Sequence, residues 1–194
     1  QTYDIVIVGG TPGGLTTALA AAKLGKTSVI LERTQHIGGL PSNGLGATDI
    51  VTRAATTGLF REFTCRIKDY YKKKYGVTSI QYQRCDDGFR FEPSVAEQVF
   101  TDWLGEYKDL ITVLTMRQFD SSPHNIKKVD DKIVKINVLN RDNNTQEEYQ
   151  GKIFIDATYE GDLAAAAGVP FRVGREGKNE FGEPGAGSVY KYWH

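Results

Sequence analysis

Apolar positions recur with several periods along the chain, and each period predicts its own kind of element. Tyr3-Asp4-Ile5-Val6-Ile7-Val8 is a short apolar run that stops at Gly9, which predicts a buried strand. Leu15, Ala18, Leu19 and Ala22 then recur at helical spacing and predict a helix from Leu15 to Gly25, with Gly25 just past its end. A second apolar run, Thr27 to Leu31, predicts a strand closed by Glu32. A long amphipathic helix is predicted from about Thr56 to Tyr75, with Leu59, Phe60, Phe63, Ile67, Tyr70 and Tyr71 on its apolar face. Lys72-Lys73-Lys74 suit the negative end of that helix, and Gly76 stops it.

Phe89-Arg90-Phe91 alternates as a short strand would, and Glu92-Pro93-Ser94 opens another helix with Pro93 in its first turn. Val95, Val99, Phe100, Trp103, Leu104 and Tyr107 form its buried stripe, and a strand is predicted from Ile111 to Met116. From about Lys127 the period becomes two, with Val134, Ile136 and Val138 alternating with polar residues. A turn at Asn140 to Thr145 and a return strand through Gln146 to Gln150 complete an antiparallel excursion. It leads into a buried strand, Lys152 to Thr158, followed by Tyr159-Glu160-Gly161-Asp162 and a helix from Leu163 to Ala167. From Arg172 onward periodicity is lost.

These elements predict an α/β fold, a Rossmann-like three-layer nucleotide-binding domain with a small antiparallel β excursion. The expected organisation is one domain over residues 1–171, with a helical insertion at about 52–107 and a β meander at about 127–151. Residues 172–194 are expected to begin a following segment, and the chain reads as a fragment whose partner is its own missing C-terminal part. The start at Gln1 reads as a processed terminus.

Composition narrows the function classes. The 194 residues are 40% hydrophobic, enough for a core, and carry 24 basic and 24 acidic side chains. That balance gives no basic excess to suggest a nucleic-acid partner. No apolar run reaches the ~18 residues of a membrane-spanning helix. Cys65 and Cys85 lie outside any C-x-x-C pattern and are compatible with two thiols or one disulfide. The sequon Asn143-Asn144-Thr145, the processed start and the cysteine pair lean toward a secreted glycoprotein; the alternative is a cytoplasmic one.

The candidate chemistry sits at the first strand end. The order strand, glycine turn, small-residue helix, strand, acid is the form of a dinucleotide-binding βαβ unit. Glycines bring the backbone close to a pyrophosphate, and the helix N-terminus offers it unpaired N–H groups. Glu32 is placed to accept from a ribose diol, and its charge would repel a 2′-phosphate, which disfavours NADP. Taking Gly9 as the first motif glycine, Thr11 occupies the second slot and Gly14 the third. The Thr11 hydroxyl could itself donate to a phosphate oxygen. The loop from His36 to Asp49, rich in glycine yet apolar between its glycines, could line a flat cofactor or its phosphates. His36, His124 and His194 are poorly placed to act as a catalytic base.

Four blocks, GGTPGG at Gly9 to Gly14, GGLPSNGLGATD at Gly38 to Asp49, FEPSVAEQVF at Phe91 to Phe100 and IDATYEGDLAAAAGV at Ile155 to Val169, give the chain a further likeness. It resembles the N-terminal part of FAD-dependent oxidoreductases with a glutathione-reductase-like FAD-binding domain. The resemblance implies FAD as cofactor, with Gly9, Gly10, Thr11, Pro12, Gly13 and Gly14 at the pyrophosphate and Glu32, beside Arg33, at the adenosine ribose. It implies that Gly38, Gly39 and Leu40, continuing to Gly44, Leu45 and Gly46, pass near flavin and phosphates. It implies an adenine contact through the backbone at Arg117 or Gln118. Ala157, Thr158 and Gly161 stand where the family has a second glycine turn, here with Tyr159-Glu160 interposed. Asp162 is expected to be either a helix N-cap or a FAD contact.

The implied activity is a flavin-dependent oxidoreductase that takes a hydride from an organic small molecule. A non-catalytic flavin-binding fragment needing a partner chain, or an NAD-dependent Rossmann dehydrogenase, are the alternatives.

Overall fold

The computed structural model describes residues 2–188; Gln1 and the stretch from Val189 through Tyr190 to His194 lie outside the described residues, as do the expectations made on them. The elements are β1 (Thr2–Val8), α1 (Pro12–Lys23), β2 (Ser28–Leu31), α2 (Gly58–Tyr75), α3 (Ile80–Arg84), α4 (Pro93–Gly105), β3 (Ile111–Leu114), β4 (Arg117–Gln118), β5 (Ile126–Val129), β6 (Lys132–Asn140), β7 (Thr145–Asp156), α5 (Asp162–Ala166) and α6 (Lys178–Phe181). The strands form one sheet in the order β3-β2-β1-β7-β6-β4, with β5 also pairing β6. β3, β2, β1 and the second half of β7 run parallel. β6 pairs antiparallel with β4, β5 and the first half of β7.

This is the α/β architecture the sequence predicts, and the parallel half has the order of a doubly wound nucleotide-binding sheet. The apolar run of β1 is buried on both faces. Ile7 shares a core with Leu15, Leu19, Phe63 and Trp103 of the helical layer, whereas Val6 and Val8 share a second one with Val29, Ile136 and Val138. Alternation along one strand therefore feeds two cores. α1 lies close to the sheet because its inward stripe is Leu15, Ala18, Leu19 and Ala22, all at or near zero exposure.

Several local expectations are corrected. α1 begins at Pro12, not Leu15, because Thr11 caps it and Pro12 supplies a preset first turn. Phe89-Arg90-Phe91 is no strand. Both rings are buried, but a turn with positive φ at Asp86 and Asp87 delivers them, and a single bridge joins Arg90 to Ala47. The strand expected to reach Met116 stops at Leu114, because Met116 adopts φ +58° and turns the chain into β4. The return strand and the strand after it are one continuous element, β7, which pairs β6 through Gln150 and β1 from Gln150 onward. Nor is its second half buried as expected. Ile153 remains 54% exposed. Cys65 and Cys85 are both free thiols; Cys85 is buried, and burial raises its pKa.

Candidate functional site

The ends of β1 and β2, the N-terminus of α1 and the turn after β7 meet at one place, and three glycines make the meeting possible. Gly9 has φ +105°, and a Cβ there would stand 2.6 Å from the Ala157 carbonyl oxygen. A Cβ on Gly14 would stand 2.2 Å from the Gly9 carbonyl oxygen, so α1 rests directly on the strand end. A Cβ on Gly10 would stand 2.9 Å from Glu32 Oε2, the oxygen that accepts the Gly10 N–H at 2.7 Å. Gly13 differs: the nearest atom to its Cβ would be Thr11 Oγ1 at 3.7 Å.

Thr11 answers the question its position raises. Its hydroxyl donates to the Ala157 carbonyl at 2.7 Å and accepts, at 3.5 Å, from the Gly14 N–H as the cap of α1. A hydroxyl has one proton, and in this structure it is given to the Ala157 carbonyl rather than held toward a phosphate. What the turn leaves available, among the described residues, are the N–H groups of Thr11 and Gly13. They stand at the positive end of the α1 dipole, an arrangement suited to an anion.

These elements wall a cleft of about 320 Å³. Of the residues singled out from sequence, Gly9, Thr11, Glu32 and Arg33 line it, as do Gly39, Leu40, Arg117, Thr158 and Asp162. Gly10, Gly14 and Ala157 act behind its wall through the contacts above. Gly38 anchors the loop base, its N–H donating to the Gly10 carbonyl at 2.7 Å. Pro12 and Gly13 face a second, apolar groove of about 630 Å³ with Thr16, Phe60, Phe63 and Phe100. Gly44 and Gly161 lie outside both hollows, and Leu45 is 56% exposed away from them. Gly46 packs on the backbone of Phe91, its carbonyl accepting the Phe91 N–H at 2.8 Å.

Glu32 is buried and held by three donors. Besides Gly10, the Thr34 N–H and hydroxyl both donate to Oε1 at 2.8 Å. Two carboxylate oxygens offer about four acceptor sites, so the group keeps capacity toward the cleft. Arg117 is committed more fully. Its guanidinium donates to Glu147, Asp142 and the Thr115 carbonyl, and Glu147 also accepts from Tyr149 and Asn140. Its hydrogen bond to Glu147 holds the Arg117 pKa up. Burial pushes Glu147 up, and its three donors outweigh that and lower it. The Arg117 N–H already donates to the Glu32 carbonyl at 2.8 Å, and Gln118 is exposed outside the cleft. Of the backbone groups expected to meet adenine, the Arg117 N–H is thus already bonded within the protein, and Phe119 is the buried neighbour that lines the cleft.

Asp162 is not the N-cap of α5; Gly161 holds that position with φ +76°. Thr158 Oγ1 accepts from the N–H groups of Gly161 and Asp162, and Asp156 accepts from those of Thr158 and Ala164. The Asp162 carboxyl is left facing the cleft. Burial, with Glu160 and Asp156 nearby, raises its pKa.

Sequence reasoning missed Thr34, Phe119, Tyr159 and Glu160 as lining residues, whereas Asn43 belongs to the loop expected to line a cofactor. Thr34 had a signal, since a hydroxyl two residues beyond a strand-end carboxylate can bond back to it. His36 also lines the cleft and pairs through Nδ1 with Glu97 at 3.0 Å.

A family model described as FAD dependent oxidoreductase matches residues 4–192. The chain is 51% identical over 43 residues to a soluble pyridine nucleotide transhydrogenase of Mycobacterium bovis, which covers 22% of this chain and 9% of that protein. It is 27% identical over 124 residues to a dihydrolipoyl dehydrogenase of Corynebacterium glutamicum, covering 58% and 26%. The chain therefore matches only a small share of these relatives' length. Among solved structures, L-proline dehydrogenase from P. horikoshii superposes with a TM-score of 0.57 at 15% identity, over 91% of this chain and 58% of that one. Glycerol-3-phosphate dehydrogenase from Bacillus halodurans, complexed with FAD, gives 0.54 at 10%, over 86% and 36%. At those identities the structures speak for the fold. The family match spans nearly every residue from the start of β1 onward: the chain belongs to the FAD dependent oxidoreductase family, and FAD is its cofactor.

Proposed function

We propose that residues 1–171 are the FAD-binding unit of a flavin-dependent oxidoreductase that takes a hydride from an organic small molecule, working with a further part of the same protein. One observation carries the reading. The unspent N–H of Thr11, at the N-terminus of α1, and the buried carboxylate of Glu32 line one cleft at a single strand end, at the two places where a dinucleotide presents its pyrophosphate and its ribose diol. Glycine at positions 9, 10 and 14 lets the turn close on Ala157, Glu32 and the strand end, which brings these groups together, so the donor set fits the cofactor.

In this reading the α1 N-terminus binds the pyrophosphate and Glu32 fixes the adenosine ribose. Gly39, Leu40, Thr158 and Asp162 position the remainder. When bound, the flavin supplies the hydride acceptor. The chain's own residues orient the cofactor, exclude water from the strand ends and hold its charge. The visible spectrum of purified protein, before and after reductant, tests this. A flavin band that bleaches supports it. A protein that takes up no FAD, or takes up NAD in its place, defeats it.

We extend the proposal to a secreted, glycosylated protein on the strength of Asn143, which is exposed at the tip of the β6–β7 hairpin. The free thiols remove the disulfide from its support. An intact mass unchanged by deglycosylation of the native material would count against it.

A further inference from the structure

The turn after β7 is joined to the segment after β2 at two points, both between residues that line the cleft. The Tyr159 hydroxyl accepts the Leu40 N–H at 2.8 Å. Glu160 pairs with Arg33, also at 2.8 Å. All four residues line the cleft.

Neither bond is needed to hold its own segment in place. The loop carrying Leu40 is anchored below by Gly38 to the Gly10 carbonyl and by Ile37 to Glu97. The turn carrying Tyr159 is anchored by Thr158 and Asp156 through the donors of α5. Tyr159 and Glu160 stand out from that anchored base. Tyr159 is 57% exposed, and the Glu160 side chain is 44% exposed. A strap of this kind opens without unfolding either wall.

The space around Gly39 shows how tightly the strap lies. Gly39 has φ +57°, and a Cβ there would stand 2.3 Å from the Tyr159 hydroxyl, 3.1 Å from Pro12 Cδ and 3.2 Å from Thr11 Cα. The phenol, the Gly39 backbone and the pyrophosphate turn are stacked with no room between them. The resulting volume of about 320 Å³ is at the bottom of the roughly 300–1,000 Å³ range of small-molecule sites. A whole dinucleotide needs the Tyr159 contact to part.

We propose that Tyr159 and Glu160 form a two-point strap that keeps the cleft closed in the cofactor-free protein and sets the rate at which the dinucleotide enters. The proposal rests on the dinucleotide reading of the cleft. It requires an open minority state, and a ligand's entry rate then scales with the population of that state. Loosening either point raises that population. The Tyr159–Leu40 bond is a neutral hydrogen bond and the Arg33–Glu160 pair is a surface ion pair, so each is weak enough to open on its own.

The test compares wild type with Tyr159→Phe, Glu160→Gln and the double variant. Hydrogen exchange at the Leu40 amide, read without FAD, is expected to rise about threefold to tenfold in Tyr159→Phe. Stopped-flow association of FAD, followed by quenching of flavin fluorescence, is expected to speed up by a similar factor in the double variant. Salt should narrow the gap between wild type and Glu160→Gln, because it screens the Arg33 pair. Unchanged exchange at Leu40, or an association rate unchanged or slowed in the double variant, overturns the strap while leaving the FAD reading intact. A wild-type protein that takes up no FAD overturns the dinucleotide reading, and the gating proposal with it.

Discussion

Thr11 Oγ1 donates to the Ala157 carbonyl at 2.7 Å, so one side-chain proton ties the turn after β1 to the turn after β7. Both turns wall the cleft, and the same hydroxyl caps α1 through the Gly14 N–H. A glycine in this slot would leave the two turns joined by backbone contact alone. Thr11→Val keeps the shape and removes the hydroxyl. It should lower the stability of the cofactor-free protein by about 1–3 kcal/mol, the cost of an unpaired carbonyl and a weakened cap. Thr11→Ser should restore most of it. Urea unfolding of the three proteins decides, and a Val variant as stable as wild type removes the tie.

Gly13 and Gly14 are neighbours with opposite roles. A Cβ at position 14 would collide with the Gly9 carbonyl oxygen at 2.2 Å, a backbone atom that cannot step aside cheaply. Gly14→Ala should therefore destabilise by about 1–3 kcal/mol or more. A Cβ at position 13 meets nothing closer than 3.7 Å. Gly13→Ala should leave stability unchanged or raise it by up to about 0.5–1 kcal/mol through helix propensity. With the α1 N-terminus at the pyrophosphate, the same change, one residue into that helix, should slow or weaken FAD uptake. Thermal melts paired with FAD titrations separate the two residues, and matching losses of stability would contradict the assignment.

The parts legible in sequence are those set by local period and punctuation. β1, α1 and β2 are a dense apolar run, a small-residue helical stripe bracketed by Pro12 and Gly25, and a second run ended by Glu32. α3 was not legible. It has five residues, none of them buried, and only Ser79 signals it as a cap. The Phe89-Arg90-Phe91 alternation is real as burial but is produced by a turn, so period two named the wrong element. The apolar run Ile153-Phe154-Ile155 reports composition and says nothing of what covers it, which is how a 54%-exposed Ile153 passed for core. In the site, the roles of Thr11, Asp162 and Tyr159 depend on partners far along the chain. No spacing rule reaches from Thr11 to Ala157, or from Tyr159 to Leu40.

Glu32 has structural work in addition to any ribose contact. Its carboxylate takes the Gly10 N–H and both Thr34 donors, so its loss strands a buried backbone donor. Glu32→Ala should cost about 1–3 kcal/mol in the cofactor-free protein. FAD affinity should fall further than that destabilisation explains. Loss of FAD alone is therefore not diagnostic. The informative comparison is FAD affinity measured well below the melting temperature of both proteins. Equal affinity there would withdraw the ribose role.

Acid should weaken the β1–β7 seam through Asp4. Asp4 on β1 accepts from Lys152 of β7 at 2.7 Å and from the N–H and hydroxyl of Thr27, just before β2, at 3.0 and 3.2 Å. The Lys152 ammonium, then the Thr27 N–H, lower its carboxyl from 3.8 to about 2. A depressed carboxylate adds stability that is fully present above its unfolded pKa and is lost as pH falls through its folded pKa. The loss contributed by Asp4 should therefore fall between about pH 4 and pH 2. Asp4→Asn should be less stable than wild type at pH 6, and the gap should close as the pH is lowered through that window. Lys152→Met should show a partial version of the same behaviour, because Thr27 still bonds the carboxylate. Melting temperatures taken from pH 6 to pH 2 give the answer. A gap between wild type and Asp4→Asn that stays constant across the range would show that Asp4 keeps its ordinary pKa in the folded protein.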